Sequence, residues 1–121
     1  MLDPKKINER AFRYYSSLRR IKQHVEARYS DAIPLQTAAR IACLEKKYFS
    51  AYFHTKVGIT YTRWLTSVRI AKAMDLIRNA DDSLTHIAAE VGFGDLRTFE
   101  RAFKKFTSLT PLEFKKSVRP S

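Results

Sequence analysis

The sequence predicts an all-α fold of about seven helices, built as two helix-turn-helix units joined by a long central helix. Three observations carry this. Hairpin chemistry is scarce, with three glycines, four prolines and neither an Asn-Gly nor an Asp-Gly turn in 121 residues. Apolar residues recur every three or four positions rather than alternating. The chain also repeats itself once at a spacing of about fifty residues. A hydrophobic content of 45% is enough for one domain's core.

Taken in order, residues 1–16 read as a basic, helical lead-in or interdomain linker, with Asp3-Pro4 as a start signal. Residues 17–121 read as the folded domain. A helix from about Ser17 sets Leu18, Ile21, Val25 and Tyr29 on one face. Pro34 opens a short helix near 35–42, and another runs from about Glu45 to Val57 and stops at Gly58, the expected left-handed end. Thr60 caps a long helix over 61–78, with Leu65, Val68, Ala71 and Ile77 as its apolar face. "NADDS" (79–83) breaks it. "TPLE" (110–113) supplies a Thr N-cap, a proline at the first helical position and a Glu three residues after the cap, so a last short helix begins there.

The repeat places the two helix-turn-helix units at about 35–57 and 84–106. Phe49, Phe53 and Thr60 precede Phe99, Phe103 and Thr110 by fifty residues. Ala39, Ala42, Cys43 and Leu44 precede Ala88, Val91, Gly92 and Phe93 by forty-nine, so Gly94 is an insertion. Each copy has what the motif needs: a small residue where two helix axes cross (Ala39, Ala88), a small turn residue (Cys43, Gly92), and a large ring facing back (Phe49, Phe99). The glycines of "VGFGD" follow a helix and lack a third Gly or a Gly-Lys-Ser/Thr, which argues for a turn and against a phosphate cradle. Asp95 is the expected cap of the helix that follows.

Charge points to a partner. There are 23 basic and 12 acidic residues, a net +11, divided as +7 over residues 1–60 (12 − 5) and +4 over 61–121 (11 − 7). Nucleic acid fits such a spread excess best, ahead of an anionic membrane surface or an acidic protein. No apolar run is long enough to span a bilayer, and the first residues lack a secretory apolar stretch. The one cysteine, Cys43, excludes an internal disulfide. His24, His54 and His86 are scattered, no metal site and no cofactor are expected, and no convergent nucleophile or base points to an enzyme.

With the phenylalanines and Tyr52 turned inward, Lys46, Lys47, Ser50, Ala51 and His54 face outward in the first unit, and Leu96, Arg97, Glu100 and Arg101 in the second. The N-terminal half of a helix lying in a major groove faces base edges. Arg forks onto the two guanine acceptors, Lys reaches the same atoms, and Ser or Ala permits close approach. His54, Lys56, Thr98, Lys104 and Lys105 lie where phosphates are the expected target.

From about Ile33 to Arg119 the chain resembles the DNA-binding domain of the AraC/XylS family of bacterial transcription regulators. The resemblance lies in "YFSAYFHTKVGITYTRWLTSVRIAKAMDLI" followed by "IAAEVGFGDLRTFERAFKKFTSLTPLEFKK", where the Ile-Ala, Gly-Phe, Asp, Phe, Arg-x-Phe-Lys and Thr-Pro steps fall in order. It implies seven helices and two recognition helices entering successive major grooves of double-stranded DNA. Lys47, Ser50 and Ala51 would then read bases in the first unit, and Leu96, Arg97, Glu100 and Arg101 in the second. It further implies activators that recruit RNA polymerase in the bacterial cytoplasm, on the nucleoid, with no membrane partner. Four positions depart from the family pattern. Ser108 replaces a glycine and leaves room for a different end to the second recognition helix. Cys43 replaces a turn glycine, Ala38 a bulkier aliphatic residue, and Glu45 the usual Ser cap, a weaker one that still complements the helix dipole. A basic helical RNA-binding domain is the alternative reading. A fragment whose N-terminal sensor or receiver domain is missing is favoured over a complete regulator.

Overall fold

The structure, a computed structural model, describes residues 7–119; the Asp3-Pro4 start signal lies outside them. Among the described residues there are eight helices and no strand: α1 (Arg10–Tyr14), α2 (Ser16–Arg28), α3 (Leu35–Ile41), α4 (Lys46–Val57), α5 (Tyr61–Asn79), α6 (Leu84–Glu90), α7 (Leu96–Thr107) and α8 (Pro111–Val118). The all-α class agrees with the sequence, and α1 is the helix beyond the expected seven. The described residues form two compact units, 7–65 and 66–119.

In the first unit, Leu18, Ile21 and Val25 of α2 are fully buried, as their spacing predicts. The core is dominated by rings. Phe53 lies 5.7 Å from Phe49 and from Tyr61, 5.5 Å from Trp64 and 5.9 Å from Phe12, centroid to centroid. Tilted and edge-on pairs at these separations each add about 0.5–1.5 kcal/mol beyond the area they bury. Tyr61 carries its hydroxyl into this core and donates it to the Ile33 carbonyl at 2.7 Å, which satisfies the one polar atom of the ring. The stretch read as a lead-in reaches the same core, since Ala11 and Phe12 are buried.

The α3–α4 turn is built on small residues. Ala38, Ala39 and Ala42 are buried, and Cys43 takes a left-handed φ of 61°. The Leu44 N–H donates back to the Ala39 carbonyl at 2.9 Å. Glu45 caps α4 more fully than its identity suggested. Its carboxylate accepts from the backbone N–H groups of Lys47 and Tyr48, so it engages orphan donors directly and does not act through the dipole alone. The far end of α4 closes at Gly58, with φ 97° and its N–H donated to the His54 carbonyl at 2.9 Å.

The second unit reproduces this backbone. Ile87, Ala88 and Val91 are buried, Gly92 has φ 104°, and the Phe93 N–H donates to the Ala88 carbonyl at 2.9 Å. Rings again run through the core, Phe93 to Phe99 at 5.3 Å, Phe99 to Phe103 at 5.7 Å and Phe103 to Phe114 at 5.5 Å. Helix α8 starts with the reciprocal cap read from "TPLE": Thr110 accepts from the Glu113 N–H at 3.1 Å, and Glu113 accepts from the Thr110 N–H at 2.8 Å.

Ser108 does not change how α7 ends. It adopts φ 69° and donates its N–H to the Lys104 carbonyl at 2.8 Å, the same closure that Gly58 makes. The backbone demand therefore outweighs the steric cost of a Cβ. That cost is about 1–2 kcal/mol in this region, while glycine would add about 0.4–1 kcal/mol of unfolded-state entropy. Ser108→Gly is accordingly expected to stabilise by about 0.5–1 kcal/mol, read as a higher urea midpoint at unchanged m-value.

One face differs from expectation. In α5, Val68 and Ala71 are only half-buried, whereas Tyr61, Trp64 and Leu65 are buried in the first unit and Ser67, Ile70, Ala73, Met74 and Ile77 in the second. A helix that supplies two cores carries no single apolar stripe, so a one-face reading mixes two registers.

Candidate nucleic-acid interface

Of the residues predicted to face outward, all but Leu96 are exposed on α4 and α7. Lys46, Lys47, Ser50, Ala51 and His54 are exposed on α4, and Arg97, Glu100 and Arg101 on α7, while Leu96 is half-buried. Opposite them, Phe49, Phe53 and Val57 of α4, and Phe99, Phe103 and Thr107 of α7, are buried. Each helix thus has a fixed inward stripe and a polar outer side. Helix α4 carries three lysines and no acidic residue between Lys46 and Val57. Helix α7 carries Arg97, Arg101, Lys104 and Lys105 against Glu100 alone. Arg101, Lys104 and Lys105, with Glu100 and Thr110, line a shallow groove of about 490 Å³ along α7.

Both helices are anchored at the N-terminal end, where base edges would be met. Asp95 caps α7 as read from the sequence: it accepts from the Thr98 backbone N–H at 2.7 Å and from the Thr98 hydroxyl at 3.1 Å. The Thr98 hydroxyl, expected on a phosphate, is thereby committed to this carboxylate. The two bonds from Thr98 hold the Asp95 carboxyl below the ordinary carboxylate range, with the Arg101 charge adding to the effect. Bonds from Thr110 lower Glu113 in the same way. A carboxylate depressed in the folded state stabilises it fully above its unfolded pKa of about 4, and that contribution disappears as pH falls through the folded pKa. Asp95→Asn is therefore expected to flatten the acid limb of a stability–pH curve below about pH 4, measured by urea unfolding at a series of pH values.

Lys56 is placed differently from the other expected phosphate contacts. It is half-buried, with its ammonium 5.1 Å from the Tyr15 ring centroid and 5.9 Å from that of Tyr52. Tyr52 in turn stacks on Tyr48, which is 57% exposed beside the outward residues of α4. Sequence reasoning did not link these three, although Tyr48, Tyr52 and Lys56 recur at every fourth position of one helix. Lys104 and Lys105 are exposed on α7.

Cys43 is exposed, and its sulfur accepts a contact from the Arg20 guanidinium at 3.0 Å. Asp82, His86 and Glu90, also at four-residue spacing, bring their ligand atoms within 4.8 Å of one another, and His86 and Glu90 already face each other at 3.6 Å. His86 and Glu90 are exposed on α6 and Asp82 is half-buried ahead of it, so the three groups could reach one cation. Among the described residues no helix is long and apolar enough to cross a membrane.

Comparison with known proteins places this architecture. A helix-turn-helix domain family model matches residues 38–117, which spans both units. The chain is 30% identical over 91 residues to the transcriptional activator RhaS of Escherichia fergusonii, covering 75% of the chain and 33% of RhaS. It is 29% identical to the C-terminal domain of the two-component response regulator yesN from Fusobacterium nucleatum, with a TM-score of 0.73 over 78% of this chain and 93% of that one. The DNA-binding domain of AdpA, solved in complex with a target DNA, has the same fold at 19% identity, with a TM-score of 0.76 over 84% and 94% of the two chains. The chain spans about a third of the length of the curated relatives it matches. The duplicated helix-turn-helix, its matching caps and turns, and these likenesses agree: the chain belongs to the AraC-type family of helix-turn-helix DNA-binding regulators.

Proposed function

We propose that α4 and α7 are two recognition helices that read successive major grooves of one DNA duplex. The observation that carries this is the duplication itself. Two capped helices, closed by the same backbone turns, each bury a ring stripe and present an outer side rich in cations. Base edges are assigned to Lys46, Lys47, Ser50 and Ala51 of α4 and to Leu96, Arg97, Glu100 and Arg101 of α7. Arg97 and Arg101 would make bidentate guanine contacts. His54, Lys56, Lys104 and Lys105 are assigned to phosphates, which set register without carrying sequence information. Thr98 serves the same contact indirectly, by fixing the first turn of α7.

Relatives about three times as long support a larger regulator, with a sensor or receiver domain ahead of this one. Recruitment of RNA polymerase in the bacterial cytoplasm fits the activators among them. Selection from a random duplex pool at about 0.15 M salt tests the central reading. Two preferred blocks about one turn (~34 Å) apart are expected. A pool that yields no motif, with structured RNA displacing the duplex, would refute it. Lys105→Ala is expected to weaken all duplex sequences alike and to reduce the slope of log K against log salt by about 0.9. Loss confined to one sequence would move Lys105 to the base-reading set.

A further inference from the structure

We propose that α1 and the residues flanking it form a clamp on the first recognition helix, so that Asn8, Phe12 and Tyr15 are positioning residues for whatever α4 reads. The inference rests on the duplex-reading role assigned to α4. A helix ends with carbonyls that lack intrahelical partners. At the end of α4 two of these are taken by one residue: the Asn8 backbone N–H donates to the Val57 carbonyl at 2.7 Å, and its side-chain amide donates to the Lys56 carbonyl at 3.1 Å. Four residues on, Phe12 is buried, stacked on Trp64 at 4.9 Å and edge-on to Phe53, the inward ring of α4, at 5.9 Å. Three further on, Tyr15 meets Tyr52 edge-on at 5.6 Å and completes the ring cradle around the Lys56 ammonium. One short segment thus grips α4 at its carbonyl end, on its buried face and along its flank.

Helix α1 has five residues and no side-chain N-cap bond, far below the length at which a helix holds itself in water. Its order derives from these contacts and from α2, where the Lys22 ammonium lies 3.8 Å from the Glu9 carboxylate and 5.5 Å from the Phe12 ring centroid, so that losing the α4 contacts would release its grip on α4. On release, α4 keeps Glu45, Phe49 and Gly58 in place but loses an end cap and the rings that aim Lys56. A domain joined ahead of residue 7 would act on this clamp before any other part of the fold.

The test compares the chain with an Asn8→Ala/Tyr15→Ala double variant and with Tyr15→Phe, which keeps the ring. Affinities are measured for the selected duplex and for derivatives with either block scrambled, the α4 block being identified through Lys47→Ala. Hydrogen exchange is followed in residues 54–58 and in α7. In the double variant, discrimination at the α4 block should fall about three- to tenfold, with the α7 block unchanged. The salt slope should drop by about 0.9, exchange should quicken in 54–58 alone, and Tyr15→Phe should behave as the parent. Unchanged discrimination with unchanged exchange would overturn the clamp, as would equal losses at both blocks. If the parent chain selects no duplex motif, the reading role fails by itself and exchange alone decides: faster rates confined to 54–58 sustain the clamp, and unchanged rates refute it.

Discussion

Phe53→Ala should destabilise the chain by about 3–5 kcal/mol, a large share of the roughly 5–15 kcal/mol that holds a domain folded. The ring is fully buried and sits within 6 Å of four others, those of Phe12, Phe49, Tyr61 and Trp64. Truncation removes its own burial and also leaves a void that these neighbours cannot fill together, because Tyr61 is tethered through its hydroxyl to the Ile33 carbonyl. Urea unfolding followed by circular dichroism reads the loss. A cost below about 1.5 kcal/mol, the range of a volume-conserving swap, would mean that the first unit repacks freely. Its recognition helix would then not be held as described.

Arg97→Ala is expected to cost about 1–3 kcal/mol on the preferred duplex and to relax preference at a single base pair. Its position motivates this. It lies in the first turn of α7, exposed, two residues after the Asp95 cap and beside Thr98, whose two bonds to that cap fix the turn. Arg101 follows one turn later on the same face. Affinity for the selected duplex and for each single-base variant, at one salt concentration, separates the possibilities. Equal losses across all variants would make Arg97 a phosphate contact and transfer the specificity of α7 to Arg101 and Glu100.

Much of the fold is legible in the sequence because its signals are local and repeated. Phe49 with Phe53 and Phe99 with Phe103 mark the inward stripes, Gly58 and the Thr-Pro-x-Glu step mark boundaries, and Asp95 marks a cap; all sit where the structure has them. What escapes has physical reasons. The lead-in reads as helical, but its docking on the core does not show, because α1 is too short for periodicity and of its apolar residues Ala11, Phe12 and Tyr14 only the first two are buried. Glu45 reads as a weak cap by residue type, yet its longer side chain folds back to two N–H groups, a contact that residue type does not predict. For the interface, exposure follows from the helical period, so the outward residues are found at the surface. The commitments of individual polar groups are not legible: Thr98 belongs to Asp95, and Lys56 lies between two tyrosine rings, one of them from another helix.

The left-handed positions carry a lesson about the duplication. Each unit needs two of them, one in its turn and one after the second helix of its motif. The first unit fills them with Cys43 and Gly58, the second with Gly92 and Ser108. Each half thus holds one glycine and one ordinary residue, in opposite order, around the same pair of torsions. The kinship between the halves is written in dihedral angles more faithfully than in letters. A comparison by residue identity would score both pairs as mismatches, where one by backbone conformation pairs them at once. Tolerance to substitution should follow the same rule: the second half of the chain forecasts which shapes the first will accept, not which amino acids.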